Sequence, residues 1–210
     1  MFITFEGLDA SGKSTQVERV AEGFKSTGDE VLILREPGGT AVGERIRAIL
    51  LDIKNTIDPV SELLLFSAAR AQLVREVIRP ALQQGIIVIS DRYVDSTIAY
   101  QGYGRQLPLE DVHAISRVAI DGLLPDLTFF IDVSLKTIRQ RQRSAGKVTD
   151  RMERAGEDFF DRARNGFIEI SRTEKRLIII DGERTPDEIF NDIWSTVVTY
   201  NKRLSGNLKN

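Results

Sequence analysis

Gly7-Leu8-Asp9-Ala10-Ser11-Gly12-Lys13-Ser14 lies between the apolar run Phe2-Ile3-Thr4-Phe5 and a helix-like run from Thr15 to Phe24. Strand, glycine-rich turn and helix in that order make the pattern G-x-x-x-x-G-K-[ST] a phosphate-binding loop. In such a loop successive backbone N–H groups converge on one point, and the helix N-terminus adds partial positive charge there. Gly7 and Gly12 let the backbone close around a phosphate without a Cβ in the way. The expected nucleotide contacts are therefore Gly7, Leu8, Asp9, Ala10, Ser11, Gly12, Lys13, Ser14 and Thr15. Lys13 is expected to reach the β- and γ-phosphates of a nucleoside triphosphate, and the Ser14 hydroxyl to ligate Mg²⁺.

Outward from the loop, four more short apolar runs follow: Val31 to Leu34, Ile86 to Ile89, Leu127 to Ile131 and Leu177 to Ile180. They are rich in Ile, Val and Phe and do not alternate cleanly, as expected of strands covered on both faces. Longer amphipathic stretches separate them, which predicts an α/β fold with a five-stranded parallel sheet and helices on both faces. Helices are expected over 13–26, 41–53, 60–84, 109–122, 135–144, 156–174 and 186–203, with a kink or break near Pro80. Residues 205–210 read as a frayed tail. Without an internal repeat or a low-complexity linker, 1–210 reads as one domain.

Ligands of open α/β sheets bind outside the carboxyl ends of the strands, so the polar residues there carry the functional expectation. Asp91 ends the third run, where phosphate-loop enzymes keep an acidic residue for Mg²⁺, and the adjacent Arg92 faces substrate phosphates. After the second run, Arg35-Glu36-Pro37-Gly38-Gly39-Thr40 forms a tight turn ahead of a helix that holds Arg45 and Arg47, arginines suited to phosphate. Phe66 and Arg70 are four apart and share a helix face, a ring to stack on a flat heterocycle and a guanidinium for its edge. Thr97 shares a face with Tyr100 or Gln101 if that stretch is helical; an ordinary surface loop is the alternative. Lys136, Arg139, Arg141, Arg143, Lys147, Arg151 and Arg154 crowd one segment, interrupted by Ser144-Ala145-Gly146. That segment reads as a mobile lid at about 143–155 that excludes water when closed.

Composition narrows the class. The chain has 29 basic and 31 acidic residues, a formal net charge of −2 and 41% hydrophobic residues, a balance with no general surface for nucleic acid or membrane. There is no cysteine, which removes disulfides and thiolate metal sites. His113 is the only histidine, so no Ser-His-Asp arrangement is available; phosphoryl transfer needs none, because positioning and electrostatics supply most of its rate. No leader-like segment precedes Phe2 and no apolar run approaches membrane-spanning length, so a cytoplasmic enzyme is expected.

Taken together, Phe5-Glu6-Gly7-Leu8-Asp9-Ala10-Ser11-Gly12-Lys13-Ser14-Thr15, Arg35-Glu36-Pro37-Gly38-Gly39-Thr40, Asp91-Arg92-Tyr93 with Ser96, Ala99-Tyr100-Gln101-Gly102, Pro125-Asp126-Leu127-Thr128 and Asp150-Arg151-Met152-Glu153 resemble bacterial thymidylate kinase. The resemblance runs from Met1 to about Asp181. It implies the P-loop nucleoside monophosphate kinase type of fold and transfer of the ATP γ-phosphoryl group to dTMP with Mg²⁺, in a homodimer. It further implies that Asp9 lies near the acceptor's sugar and phosphate, that Phe66 stacks on thymine and that Arg70 bonds its edge. Arg92 would grip the dTMP phosphate with Arg35 and Arg47 as companions. Glu36, Ser96, Thr97 and Gln101 would contact the nucleotide, and Tyr100 would crowd the 2′ position. Some relatives carry an arginine inside the loop where this chain has Ala10. The resemblance is therefore to the lid-arginine subgroup, with Arg143, Lys147 and Arg151 to meet the charge of the transferred group.

Two alternatives stay open on the sequence. One is a kinase for another nucleoside monophosphate or a deoxynucleoside; the other is a nucleotide-dependent switch, for which the guanine-reading Asn-Lys-x-Asp element is missing.

Overall fold

The structure, a computed structural model, describes residues 1–145, 151–152 and 155–207. Five strands, β1 (Phe2–Glu6), β2 (Val31–Arg35), β3 (Ile87–Asp91), β4 (Leu127–Asp132) and β5 (Leu177–Asp181), form one sheet in the order β2-β3-β1-β4-β5. Every pairing is parallel. Each strand runs one or two residues beyond the apolar run that marked it and ends on a polar residue, and these polar ends gather along one edge of the sheet. The chain leaves β1 for β2 and β3 on one side and returns to β4 on the other, so the switch point lies at the tip of β1.

Alternation along the strands feeds two cores. Phe2 and Val88 join Leu73, Val74 and Ile78 on one face. Ile3, Phe5 and Ile89 join Val17, Val20, Phe24 and Ile193 on the other. The second group comes from α1 (Lys13–Ser26) and α9 (Pro186–Asn207). Their spacing of three to four residues gives α1 one continuous apolar face, and each fully buried Phe, Val or Ile adds about 1.5–3 kcal/mol. α1 also approaches α9 closely at Gly23, where a Cβ would lie 2.7 Å from the Trp194 ring. With both faces covered, the central strands have no wet side, which explains the missing alternation.

Local chemistry sets the helix starts. Thr40 caps α2 (Ala41–Leu51) by accepting the Gly43 N–H at 2.9 Å, and Asp58 caps α3 (Pro59–Leu73) by accepting that of Val60 at 2.9 Å. Pro59 occupies the first turn, where its missing N–H costs nothing. The break expected at Pro80 is realised just before it, as a π-helical turn Val74–Ile78 leading into α4 (Arg79–Gln83). The wider turn accommodates a proline that offers no N–H and crowds the carbonyl four residues back.

Two further features depart from expectation. Residues 95–102, left open as a helix or a surface loop, lie within a helical and largely buried segment, 94–104, made of α5 (Val94–Thr97) followed by a π-helical stretch Ile98–Gly104. Residues 205–207 continue α9, where a frayed tail was expected. The remaining helices are α6 (Leu109–Ile120), α7 (Leu135–Ala145) and α8 (Glu157–Thr173). α8 packs tightly on the 98–104 stretch, because Gly104 and Gly166 let Phe159 and Tyr103 lie against bare backbone.

Candidate active site

The loop between β1 and α1 has its backbone bent by Gly7 (φ 139°), Ala10 (φ 66°) and Gly12 (φ 101°). Ala10 is a non-glycine residue in the left-handed region, a strain of the kind that binding loops retain. α1 starts at Lys13 behind Gly12 with no side-chain cap, so its first N–H groups stay available to an anion. The Lys13 ammonium is buried and donates to the carbonyls of Gly7 at 3.1 Å and Leu8 at 2.9 Å. Burial, followed by the charge of Arg92, lowers its pKa, against the opposing pull of Asp91 and Asp9.

At the tip of β3, the Ser14 hydroxyl donates to Asp91 Oδ2 at 2.9 Å. Two hard oxygen donors at the mouth of a phosphate loop suit Mg²⁺, which takes few protein ligands and completes its shell with water and phosphate oxygens. Among the described residues no group of three His, Cys, Asp or Glu side chains could form a protein-only cage.

Arg92 follows with φ 76°, held at both ends of its backbone. Its N–H donates to Phe5 O at 2.9 Å, and Ser90 Oγ donates to its carbonyl at 2.8 Å. The guanidinium donates to Asp9 Oδ1 at 2.7 Å, Gly7 O at 3.0 Å and Ser96 Oγ at 3.2 Å. It also lies over the Tyr100 ring, 5.1 Å from the centroid. Beneath this turn sits Glu6, fully buried at the end of β1. It accepts the N–H groups of Tyr93 at 2.8 Å and Ser96 at 3.2 Å, and a short bond from Ser96 Oγ. Burial first, and the charge of Asp95 second, push its pKa up to about 8, although Ser96 and Arg92 pull the other way. Asp95 is paired in turn with Arg176 at 2.7 Å. Glu6 stood in the sequence as part of the Phe5–Thr15 motif without a role of its own, and Arg176 was not among the expected site residues.

A cavity of about 410 Å³ opens above these groups. Asp9, Lys13, Ser14, Asp91 and Arg92 line its phosphate end; Phe66, Thr97, Tyr100, Gln101, Leu51 and Met152 line the other; Arg35, Glu36, Pro37, Arg47 and Ser96 complete its wall. Thus residues from five separate stretches of sequence meet in one space. Tyr100 is packed against Phe159 and Phe167. Burial raises its pKa, so it stays a neutral phenol. Glu36 is buried, and its Oε1 has no hydrogen-bond partner among the described residues, the kind of acceptor that a ligand's hydroxyl or N–H satisfies. Arg47 donates to Pro37 O at 2.9 Å.

Arg70 sits elsewhere than expected: it does not line the cavity but lies behind the wall, 1% exposed. Its three nitrogens donate to Glu36 at 2.7 Å, Thr97 Oγ1 at 2.6 Å and Tyr93 O at 2.9 Å. Two N–H groups of the five remain beyond those bonds.

The basic segment divides. Arg143 is exposed near the end of α7, Lys147 lies outside the described residues, and so does most of the expected lid (146–150 and 153–154). Arg151 is held away from the phosphate loop. Its backbone N–H reaches Leu51 O at 3.3 Å, and its guanidinium donates to Leu50 O at 2.6 Å and pairs with Glu62 at 2.7 Å. Met152 beside it enters the cavity wall. Arg141, not among the expected site residues, is the lid-side arginine that touches the loop: it donates to Ser11 O at 3.1 Å and to Gly182 O at 2.9 Å. Its place in the basic run of residues 136–154 was the available signal.

Comparison with known proteins agrees with this fold. The family model described as thymidylate kinase matches residues 5–193. The chain is 48% identical to the thymidylate kinase of Prosthecochloris aestuarii over 208 residues, covering 95% of this chain and 93% of that one. It is 46% identical to the thymidylate kinase of Thermosipho africanus over 197 residues, covering 94% and 97%. Among solved structures, the crystal structure of thymidylate kinase from Ehrlichia chaffeensis superposes with a TM-score of 0.76 at 35% identity, covering 94% of this chain and 97% of that one.

Proposed function

Because the chain belongs to the thymidylate kinase family, and so transfers the γ-phosphoryl group of ATP to dTMP to give dTDP and ADP, we propose that the cavity at the tips of β1, β2 and β3 is where that transfer occurs. The observation that carries this reading is that the phosphate loop and an aromatic, amide-bearing pocket open into one continuous cavity. Attack by the acceptor on the γ-phosphorus needs both nucleotides in line within bonding reach, and a shared cavity supplies that proximity.

Residues 7–15 bind the ATP phosphates with converging N–H groups. Lys13 leaves the Gly7 and Leu8 carbonyls to meet the β- and γ-phosphates, where its charge opposes the charge that builds up during transfer. Ser14 and Asp91 hold Mg²⁺, which shields the phosphate charge when bound. Arg92, aimed by Asp9, Gly7 and Ser96, takes the dTMP phosphate, with Arg35 and Arg47 alongside. Phe66 stacks on thymine; Thr97, held from behind by Arg70, and Gln101 meet its edge; Tyr100 occupies the space a 2′-hydroxyl would need. Glu36 accepts from the acceptor nucleotide. Arg143 and Lys147 supply charge from a lid at about 143–155 when it closes, and Arg151, tied to Glu62, anchors its far end.

The same reading includes one domain over 1–210, a homodimer and a cytoplasmic location, with no nucleic-acid or membrane partner. Val42 and Ile49 on α2, and Val60 and Leu64 on α3, are exposed apolar side chains on neighbouring helices and support self-association. No helix among the described residues is long and apolar enough to cross a membrane.

The test is ADP formation with dTMP, dUMP, dCMP, AMP and thymidine, with Mg²⁺ and with the metal chelated. The expected result is turnover highest with dTMP and abolished by chelation. Equal turnover with AMP and dTMP would remove the nucleoside pocket from the proposal.

A further inference from the structure

Glu62 lies in the first turns of α3 with no exposed surface, a setting in which an acidic side chain needs full compensation. Its Oε1 accepts Gln101 Nε2 at 2.8 Å and Arg105 Nε at 3.1 Å, and its Oε2 accepts Arg105 Nη2 at 3.0 Å and Arg151 Nη2 at 2.7 Å. Burial alone would push its pKa up, but the bonds from Arg105, Gln101 and Arg151 outweigh it and hold the carboxyl below the ordinary glutamate value. An ionised carboxylate accepts and never donates. The Gln101 amide must therefore turn its nitrogen to Glu62, which leaves its oxygen to the cavity that Gln101 lines. That oxygen has no partner among the described residues. Gln101 is 2% exposed, so reversing the amide would set two acceptors against each other away from water.

We propose that Glu62 is a positioning residue for base specificity: it locks the Gln101 amide with its oxygen toward the nucleobase, so that the pocket accepts a ring N–H and rejects a ring nitrogen without hydrogen. The inference rests on the reading above, in which Gln101 meets the edge of the base. Thymine carries a hydrogen on N3 and fits; cytosine presents a lone pair there and meets another lone pair. A site built around such a bond discriminates more sharply than an apolar pocket does.

The experiment measures kcat/KM for dTMP and dCMP with the wild-type chain, Glu62→Gln, Gln101→Met and the double variant. Glu62→Gln is expected to narrow the preference for dTMP over dCMP by about tenfold, the scale of one neutral hydrogen bond. In the Gln101→Met background it is expected to narrow it no further. If Glu62→Gln lowers both acceptors in equal proportion, Glu62 is a structural tie only and the proposal falls. If Gln101→Met leaves the preference intact, both the proposal and the role of Gln101 in the base site fall, so the two failures differ. A second measurement needs no variant: side-chain NH₂ exchange of Gln101 by NMR. Slow exchange without nucleotide that dTMP leaves unchanged supports the lock; protection that appears only when dTMP binds overturns it.

Discussion

The two ends of the cavity are built from different materials. At the phosphate end the binding groups are mostly main-chain N–H groups and one ammonium, arranged by eight consecutive residues. At the nucleoside end they are side chains from α3, the 94–104 helix and the stretch around Arg151, held by ionic and amide bonds between positions up to 89 residues apart (151 minus 62). A main-chain site can be specified locally, because spacing and glycine placement dictate it. A side-chain site is specified by partners that sequence order does not bring together. Under the proposed function, the first therefore favours any triphosphate, and the second selects among bases and sugars.

That contrast can be broken by substitution, beginning with the largest effect. Lys13→Ala is expected to lower kcat by about 10³-fold for every acceptor, on the scale of removing one preorganised charge-stabilising donor, while circular dichroism shows an unchanged fold. A loss confined to dTMP would mean that the phosphate end also reads the base. Phe66→Ala is expected to raise KM for dTMP by about tenfold or more through lost stacking, with kcat for bound substrate little changed. A drop in kcat with KM intact would move Phe66 from binding to transfer. Tyr100→Ala is expected to improve ribonucleotide over deoxyribonucleotide acceptors by a few-fold, read as a ratio of kcat/KM values; an unchanged ratio would take Tyr100 out of sugar selection.

The smallest expected effect concerns the buried carboxyl beneath the Arg92 turn. Glu6 has a folded pKa of about 8 against an ordinary value of 4.5. Between those values the folded chain keeps a proton that the unfolded chain has lost. The Glu6 contribution to stability therefore falls as pH climbs from about 4.5 to about 8 and levels off above that. Glu6→Gln stays neutral throughout, so its Tm should decline less between pH 6 and pH 8 than that of the wild type. Parallel declines would show that the buried carboxyl does not hold its proton through this range.

How far the sequence spoke follows the same division. The central strands were marked by β-branched and aromatic residues covered on both faces, the edge strands β2 and β5 by apolar runs that leave Ile33 and Ile179 exposed, and the loop by its glycines and lysine. The 94–104 helix was obscured because Gly102 and Gly104, which weaken a helix pattern, are there to admit Leu109 and Phe159. Glu62 was overlooked because an acidic residue in a first helical turn reads as a favourable surface charge; only tertiary structure reveals that it is enclosed by two arginines and an amide. Phe66 lines the cavity as expected of its helix face, but Arg70 is drawn behind the wall by bonds to Glu36 and Thr97, partners that sequence order does not bring together.

α2 and α3 each begin with a side chain that satisfies an opening N–H group, and α1 does not. Under the proposed function, the triphosphate itself finishes that helix. Nucleotide should therefore slow amide exchange in the first turn of α1 before it affects any other helix, and departing ADP should leave that turn the loosest segment of an otherwise finished scaffold.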